Sequence, residues 1–259
     1  MRTPHFVAVI DGAGDPRGRT WQGRSLGRDA AETLGAAVRR LSPDATPAEL
    51  VAALTKALSE RRDEMARDGL TPPWPAANLV VYSNAMRQII RVGDCAFRVD
   101  DQVSNPPPKA FEQTLIDVRR LILHAGLSAD LDQHELDGDV RDILQTLYRY
   151  QEMCQNTPTP HPYSFPVLDG NPVPLSGIEV VDVPPGRHEI VLASDGYPEV
   201  RSSLAESEDA LAQVLKTDPL LIGDHAQTKS LRPDDLSYDD RTYVRIAVGG
   251  EDEDPETVS

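Results

Sequence analysis

Two apolar runs, Phe6-Val-Ala-Val-Ile10 and Ile190-Val-Leu-Ala193, each lead within two residues into an Asp-Gly pair, Asp11-Gly12 and Asp195-Gly196. A third acid, Asp239, lies shortly before another strand-like run, Thr242-Tyr-Val-Arg-Ile246. Apolar runs of this kind are buried strands, so they carry the acids that flank them to the rim of a sheet interior, where an uncompensated carboxylate is costly. Two outcomes are open. Each Asp-Gly can simply turn the chain outward, its commonest use. Alternatively the acids converge and share a hard divalent cation, which favours oxygen ligands. The repetition of the same device after two similar strands points to the second.

Between these segments the pattern alternates. Residues 26–40 carry a helical period through Leu26, Ala30, Leu34 and Val38. Thr46, Pro47 and Glu49 form a helix start with a capping box, and Leu50, Leu54 and Leu58 give that helix one apolar stripe. Leu79-Val-Val-Tyr82 and Gln88-Ile-Ile-Arg-Val92 read as neighbouring antiparallel strands around a turn at Ser83-Asn84. After Ser104-Asn-Pro-Pro-Pro108 comes a helical insertion: Phe111, Leu115, Val118 and Ile122 share a face, Gly126 is placed to end it, and Val140, Ile143, Leu144 and Leu147 mark a second helix. The proline-punctuated stretch Thr157 to Pro174 is either a lid or partner loop or a structural excursion. Strands over residues 178–183 and 190–193, a helix over 209–216 and the run from Thr242 complete an α+β pattern.

A chain of 259 residues with 39% apolar content can bury one substantial core, and the expected division is one domain over residues 1–248 followed by an acidic, solvated tail over 249–259. That tail either solubilises the protein or docks a partner. The formal charge of −16 opposes binding to nucleic acid or to anionic membranes. The sequence has no run of membrane-spanning length, and its first residues lack the regions of a secretory signal, so the expected location is cytoplasmic. Cys95 and Cys154 are too few for a disulfide framework or a cysteine-rich zinc site; they are ordinary thiols, or Cys95 is a redox sensor. The six histidines show no ligand spacing, and the loop Gly12-Ala-Gly14 lacks the Lys-Ser/Thr of a phosphate-binding P-loop.

Four segments in order, Val9-Ile-Asp-Gly-Ala-Gly14, Arg91-Val-Gly-Asp-Cys-Ala96, Val191-Leu-Ala-Ser-Asp-Gly196 and Asp239-Asp-Arg-Thr-Tyr-Val244, resemble motifs of the metal-dependent protein phosphatase family, type 2C, in its bacterial form. The resemblance implies a four-layer α-β-β-α sandwich with two central antiparallel sheets, here with the helical insertion and its loop over about residues 104–174. It also implies two Mn²⁺ or Mg²⁺ ions. Asp11 matches the carboxylate shared by both ions and Gly12 a backbone carbonyl ligand; Asp195 and Asp239 match further ligands, and Asp94 a position that serves a third ion in parts of the family. Asp240 takes the place of Asp239 if the register slips by one, although the spacing to Thr242 favours Asp239.

The implied reaction is hydrolysis of a phosphoserine or phosphothreonine monoester by a metal-activated water, with a phosphoprotein substrate and a serine/threonine kinase as counterpart. Ala13 stands where many eukaryotic members carry a proton-donating His. Ten residues precede Asp11, so the family's leading strand, with its phosphate-binding Arg, is expected to be missing or replaced. Arg17, Arg19 and Arg24, in the loop after Asp11-Gly12, are the candidate substitutes, because a guanidinium fork suits two phosphate oxygens. A loss of that arginine also opens an alternative function: a phosphatase-like binding module with little turnover.

Overall fold

In the computed structural model, residues 1–15, 17–106, 108–231 and 235–249 are described. The expected tail over 249–259 therefore lies, from residue 250 on, outside the described residues. The strands are β1 (Phe6–Ala13), β2 (Thr20–Trp21), β3 (Arg24–Ser25), β4 (Ala76–Ser83), β5 (Gln88–Val92), β6 (Ala96–Val99), β7 (Gln102–Ser104), β8 (Glu179–Asp182), β9 (His188–Ala193) and β10 (Tyr243–Val248). The helices are α1 (Leu26–Val38), α2 (Pro47–Arg67), α3 (Ala110–Ser128), α4 (Gln133–Tyr148) and α5 (Leu204–Thr217).

Two four-stranded antiparallel sheets form the centre, ordered β1-β4-β5-β8 and β10-β9-β6-β7. Strand alternation decides what each side chain meets. On β1, Phe6 and Ala8 join Leu79, Val81, Ile90 and Val92 in facing α1 and α2 through Leu34, Val38, Leu50, Leu54 and Leu58. Val7 and Val9 point the other way and pack, with Val80, Tyr82 and Ile89, against Phe97, Ile190 and Leu192 of the second sheet. The outer face of the second sheet carries Ala96, Val191, Ala193 and Tyr243 beneath Tyr197 and Val200, with α5 starting just beyond.

Caps and turns follow the local sequence. Thr46 and Glu49 make the expected capping box on α2, and Ser203 with Glu206 makes another that lengthens α5 beyond its apolar signal. Gln22 and Gly23 both take positive φ in the two-residue turn between β2 and β3.

Several expectations need adjustment. Gly126 does not end its helix; α3 runs on to Ser128, and Gly126 is where Leu136 of α4 packs, a Cβ there meeting Leu136 Cδ2 at 2.2 Å. On α4, Ile143 is exposed and Leu136 takes the inward place beside Val140 and Leu144. The hairpin β6–β7 carried no strand signal, because its residues sit between a turn and the proline run, yet β6 is interior to the second sheet. In the 157–174 stretch, Phe165, Val167 and Leu168 are buried, and Leu168 pairs with Ala77, the second residue of β4, so this half is structural. Among the described residues no helix is long and apolar enough to cross a membrane.

Candidate metal centre

The alternation that buries Val7 and Val9 between the sheets carries Asp11, two residues further on, to the same side at the end of the inter-sheet core. Its cross-strand partner is Asn78, on the same face as Val80 and Tyr82. The tight turn after β5 uses Gly93 at φ +91° and delivers Asp94 and the fully buried Cys95 to the same end. From the second sheet, Asp195 follows β9. Its neighbour Gly196 lies so close to the Asp240 carbonyl that a Cβ would approach it to 2.3 Å, which brings the 239–241 loop against the Asp-Gly turn. Ser194 clamps the two segments, its Oγ accepting from the Thr242 N–H at 2.9 Å. Arg241 anchors the loop from behind by a two-pronged ion pair with Glu208 of α5.

Electrostatics show how tightly the acids are gathered. Burial raises the Asp11 carboxyl to about 6; its hydrogen bond with Asp195 opposes the rise, and the charges of Asp94, Asp240 and Asp239 add to it. Asp195 is pushed well above the carboxylate range by burial, then by Asp94 and Asp11. Burial also raises Asp240, with Asp239 adding to the effect, so both candidates for the last position face the cluster. The Cys95 thiol is raised far up by burial and by these acids, the opposite of what a redox-sensing thiolate needs.

Two lysines enter this negative field. Lys109, the residue before α3, forms an ion pair with Asp94 Oδ2, the two side chains being 16% and 13% exposed. Lys229 reaches Asp239 Oδ1 at 2.5 Å. Its segment is tied to α3 by the buried Arg119, which donates to the carbonyls of Leu220, Leu221 and Gln227. Neither lysine carries a motif. The signal that existed was a lysine next to a proline run, and for Asn78 a lone polar residue inside an apolar strand.

The donor set suits a hard divalent cation: it is all oxygen, it is buried, and two of its atoms, Asn78 Oδ1 and Asp94 Oδ1, have no hydrogen-bond partner. Among the described residues, however, no three His, Cys, Asp or Glu side chains are gathered so as to hold an ion. The two lysines hold two of the corners. Gly12 has a packing reason for being glycine: a Cβ there would stand 2.0 Å from the Gly27 carbonyl oxygen, so β1 and the start of α1 meet backbone to backbone.

The three loop arginines separate. Arg19 bonds Asp15 and the carbonyls of Thr71 and Pro73, and Arg24 pairs with Glu32 at 2.5 Å. Arg17 lines a cleft of about 500 Å³ together with Pro72, Pro73, Tyr148, Arg149 and Glu152. Tyr148 links this cleft to the acids, since its hydroxyl, raised first by burial, bonds Thr228 and senses Glu112, Lys229 and Asp239.

No family model matches the chain, and no curated protein does. Among solved structures it is similar to the catalytic domain of the serine threonine protein phosphatase PstP in complex with two manganese ions (15% identity, 95% of this chain and 88% of that one, TM-score 0.47). It is similar also to the Mycobacterium tuberculosis serine/threonine phosphatase PstP/Ppp (16%, 95% and 89%, TM-score 0.46). A third is the stage II sporulation E family protein from Thermanaerovibrio acidaminovorans (15%, 94% and 95%, TM-score 0.42).

Proposed function

We propose that the chain is a metal-dependent serine/threonine phosphoprotein phosphatase of the type 2C family, a phosphoric monoester hydrolase built as one domain over about residues 1–248. One observation carries this reading: at one buried end of the inter-sheet space Asp11 and Asp195 share a hydrogen bond and both feel the charge of Asp94, beside two unpaired oxygens. A group of acids so costly to keep together has a use where positive charge is supplied. Asp11, Asp195 and Asp239 would hold Mn²⁺ or Mg²⁺, and Asn78 Oδ1 offers a neutral oxygen beside them. Bound there, such ions lower the pKa of water towards neutrality and offset charge on a phosphoryl group. Thr242 and Ser194 fix the spacing of the Asp195 and Asp239 segments, while Arg241 keeps the loop from swinging away.

Phosphate recognition we assign to Arg17 with Arg149 in the cleft next to Tyr148, leaving Arg19 and Arg24 to brace the loop. The substrate is then a phosphoprotein segment lying in that cleft, and the implied counterpart is a serine/threonine kinase.

The second reading, a phosphatase-like binding module with little turnover, is favoured by Lys109 and Lys229, which neutralise Asp94 and Asp239 without any ion. The two readings separate in one assay: hydrolysis of an aryl phosphate and of a phosphothreonine peptide with Mn²⁺, with and without chelator. The phosphatase reading expects chelator-sensitive turnover that Asp195→Asn abolishes, with Arg17→Ala raising the Michaelis constant for the peptide about tenfold, or roughly 1.4 kcal/mol. Peptide binding without turnover at any metal concentration selects the binding module.

A further inference from the structure

Lys109 occupies a place that helix formation does not explain. It is the N-cap of α3, where Ser, Thr, Asp or Asn would accept a backbone N–H, and its side chain makes no capping bond. A cation is also unfavourable at the positive end of a helix. The ammonium instead runs inward to Asp94, passing 5.2 Å from the centre of the Phe165 ring, and becomes largely buried. Asp94, in turn, is one of the charges that act on both Asp11 and Asp195. The remaining oxygen of Asp94 is buried and unpaired, so Lys109 is its sole partner among the described residues. Pro108, directly before Lys109, has its φ fixed by its ring and so restricts the backbone that presents the lysine.

We propose that Lys109 is a resident cation of the centre: its buried ammonium holds the Asp94 corner permanently, so that divalent ions bind only at the Asp11, Asp195 and Asp239 side, where the half-exposed Lys229 is displaced from Asp239. This rests on the reading of the cluster as a metal centre, and it adds which corner the protein fills itself. A lysine supplies its charge at every metal concentration, so the acids are partly neutralised before any ion arrives. The corner is thereby closed to an ion that the two Asp94 oxygens would otherwise help to hold.

The test is a titration of Mn²⁺ alone into chelator-stripped protein, read by calorimetry and by the electron paramagnetic resonance of free Mn²⁺. Lys109→Met, and Lys109→Gln as a second variant should the first fold poorly, are expected to bind about one ion per chain more than the unaltered protein. Adding Asp94→Asn to either should remove the extra ion, whereas Lys109→Arg should keep the original stoichiometry. Equal, non-zero stoichiometry and affinity in the unaltered protein and in both neutral variants overturns the proposal while leaving the metal centre standing. Binding seen only in the neutral variants retains the resident cation and removes the reading of Asp11, Asp195 and Asp239 as ligands. No binding in any of them overturns both.

Discussion

Replacing Asp11 by Asn should stabilise the chelated protein at high pH and do little at low pH. Burial, the first cause, and the charges of Asp94, Asp240 and Asp239 raise its carboxyl from 3.8 to about 6, although the hydrogen bond with Asp195 pulls it down. A folded-state value above the unfolded one means that the native protein holds the proton more tightly. The protonated group's contribution is therefore fully present below 3.8 and is lost as pH rises through about 6. At roughly 1.4 kcal/mol per pH unit, ionising Asp11 costs the fold about 3 kcal/mol by pH 8.

Asn imitates the protonated carboxyl and can donate to Asp195, so Asp11→Asn should recover most of that amount at pH 8 and almost none at pH 4. For a chain of this size the expected difference in melting temperature is about 6–12 °C at pH 8. Thermal unfolding followed by circular dichroism in chelator, with both proteins at pH 4, 6 and 8, measures it, and subtracting one protein from the other cancels the other acids. Saturating Mn²⁺ should reverse the order, since an ion at a thousand times its dissociation constant adds about 4.1 kcal/mol to the protein that binds it. A variant destabilised by the same amount at all three pH values in chelator would refute the reasoning, because it would mean that Asp11 is a satisfied structural group.

Two further predictions concern how the site is held. Gly12→Ala would force a Cβ to within 2.0 Å of the Gly27 carbonyl oxygen, and the resulting shift of β1 from α1 should cost about 1–3 kcal/mol in denaturant unfolding; unchanged stability would show that this approach is soft. Arg119→Met leaves the carbonyls of Leu220, Leu221 and Gln227 without their buried donor, an expected loss of about 3 kcal/mol. Amide hydrogen exchange should then quicken over residues 218–231, the segment that carries Lys229, while β1 and β4 stay protected.

Much of the frame was legible without coordinates. The capping box at Thr46, the stripe of Leu50, Leu54 and Leu58, and the alternation in β1, β4, β5 and β9 are local properties, fixed by helical and strand periods. The order of Asp11, Asp94, Asp195 and Asp239 along these elements was likewise in the sequence, and so was the α+β class. Local signals ran out where a residue's role depends on what comes to it from elsewhere. Gly126 read as a helix end because glycine usually is one; only the approach of Leu136 gave it a packing role. Strand β6 lacked a period long enough to read, and it became interior through its partners β9 and β7. Arg19 and Arg24 looked equivalent to Arg17 until the carbonyls of Thr71 and Pro73 and the carboxylate of Glu32 claimed them. Above all, neither Lys109 nor Lys229 is marked by a local period as the partner of its acid, and Lys109 lies 15 residues beyond Asp94 and across a proline run. Charge compensation acts through a few ångströms of space and takes no account of sequence distance, so the acids could be read from the chain, but the cations that meet them were decided by the tertiary fold.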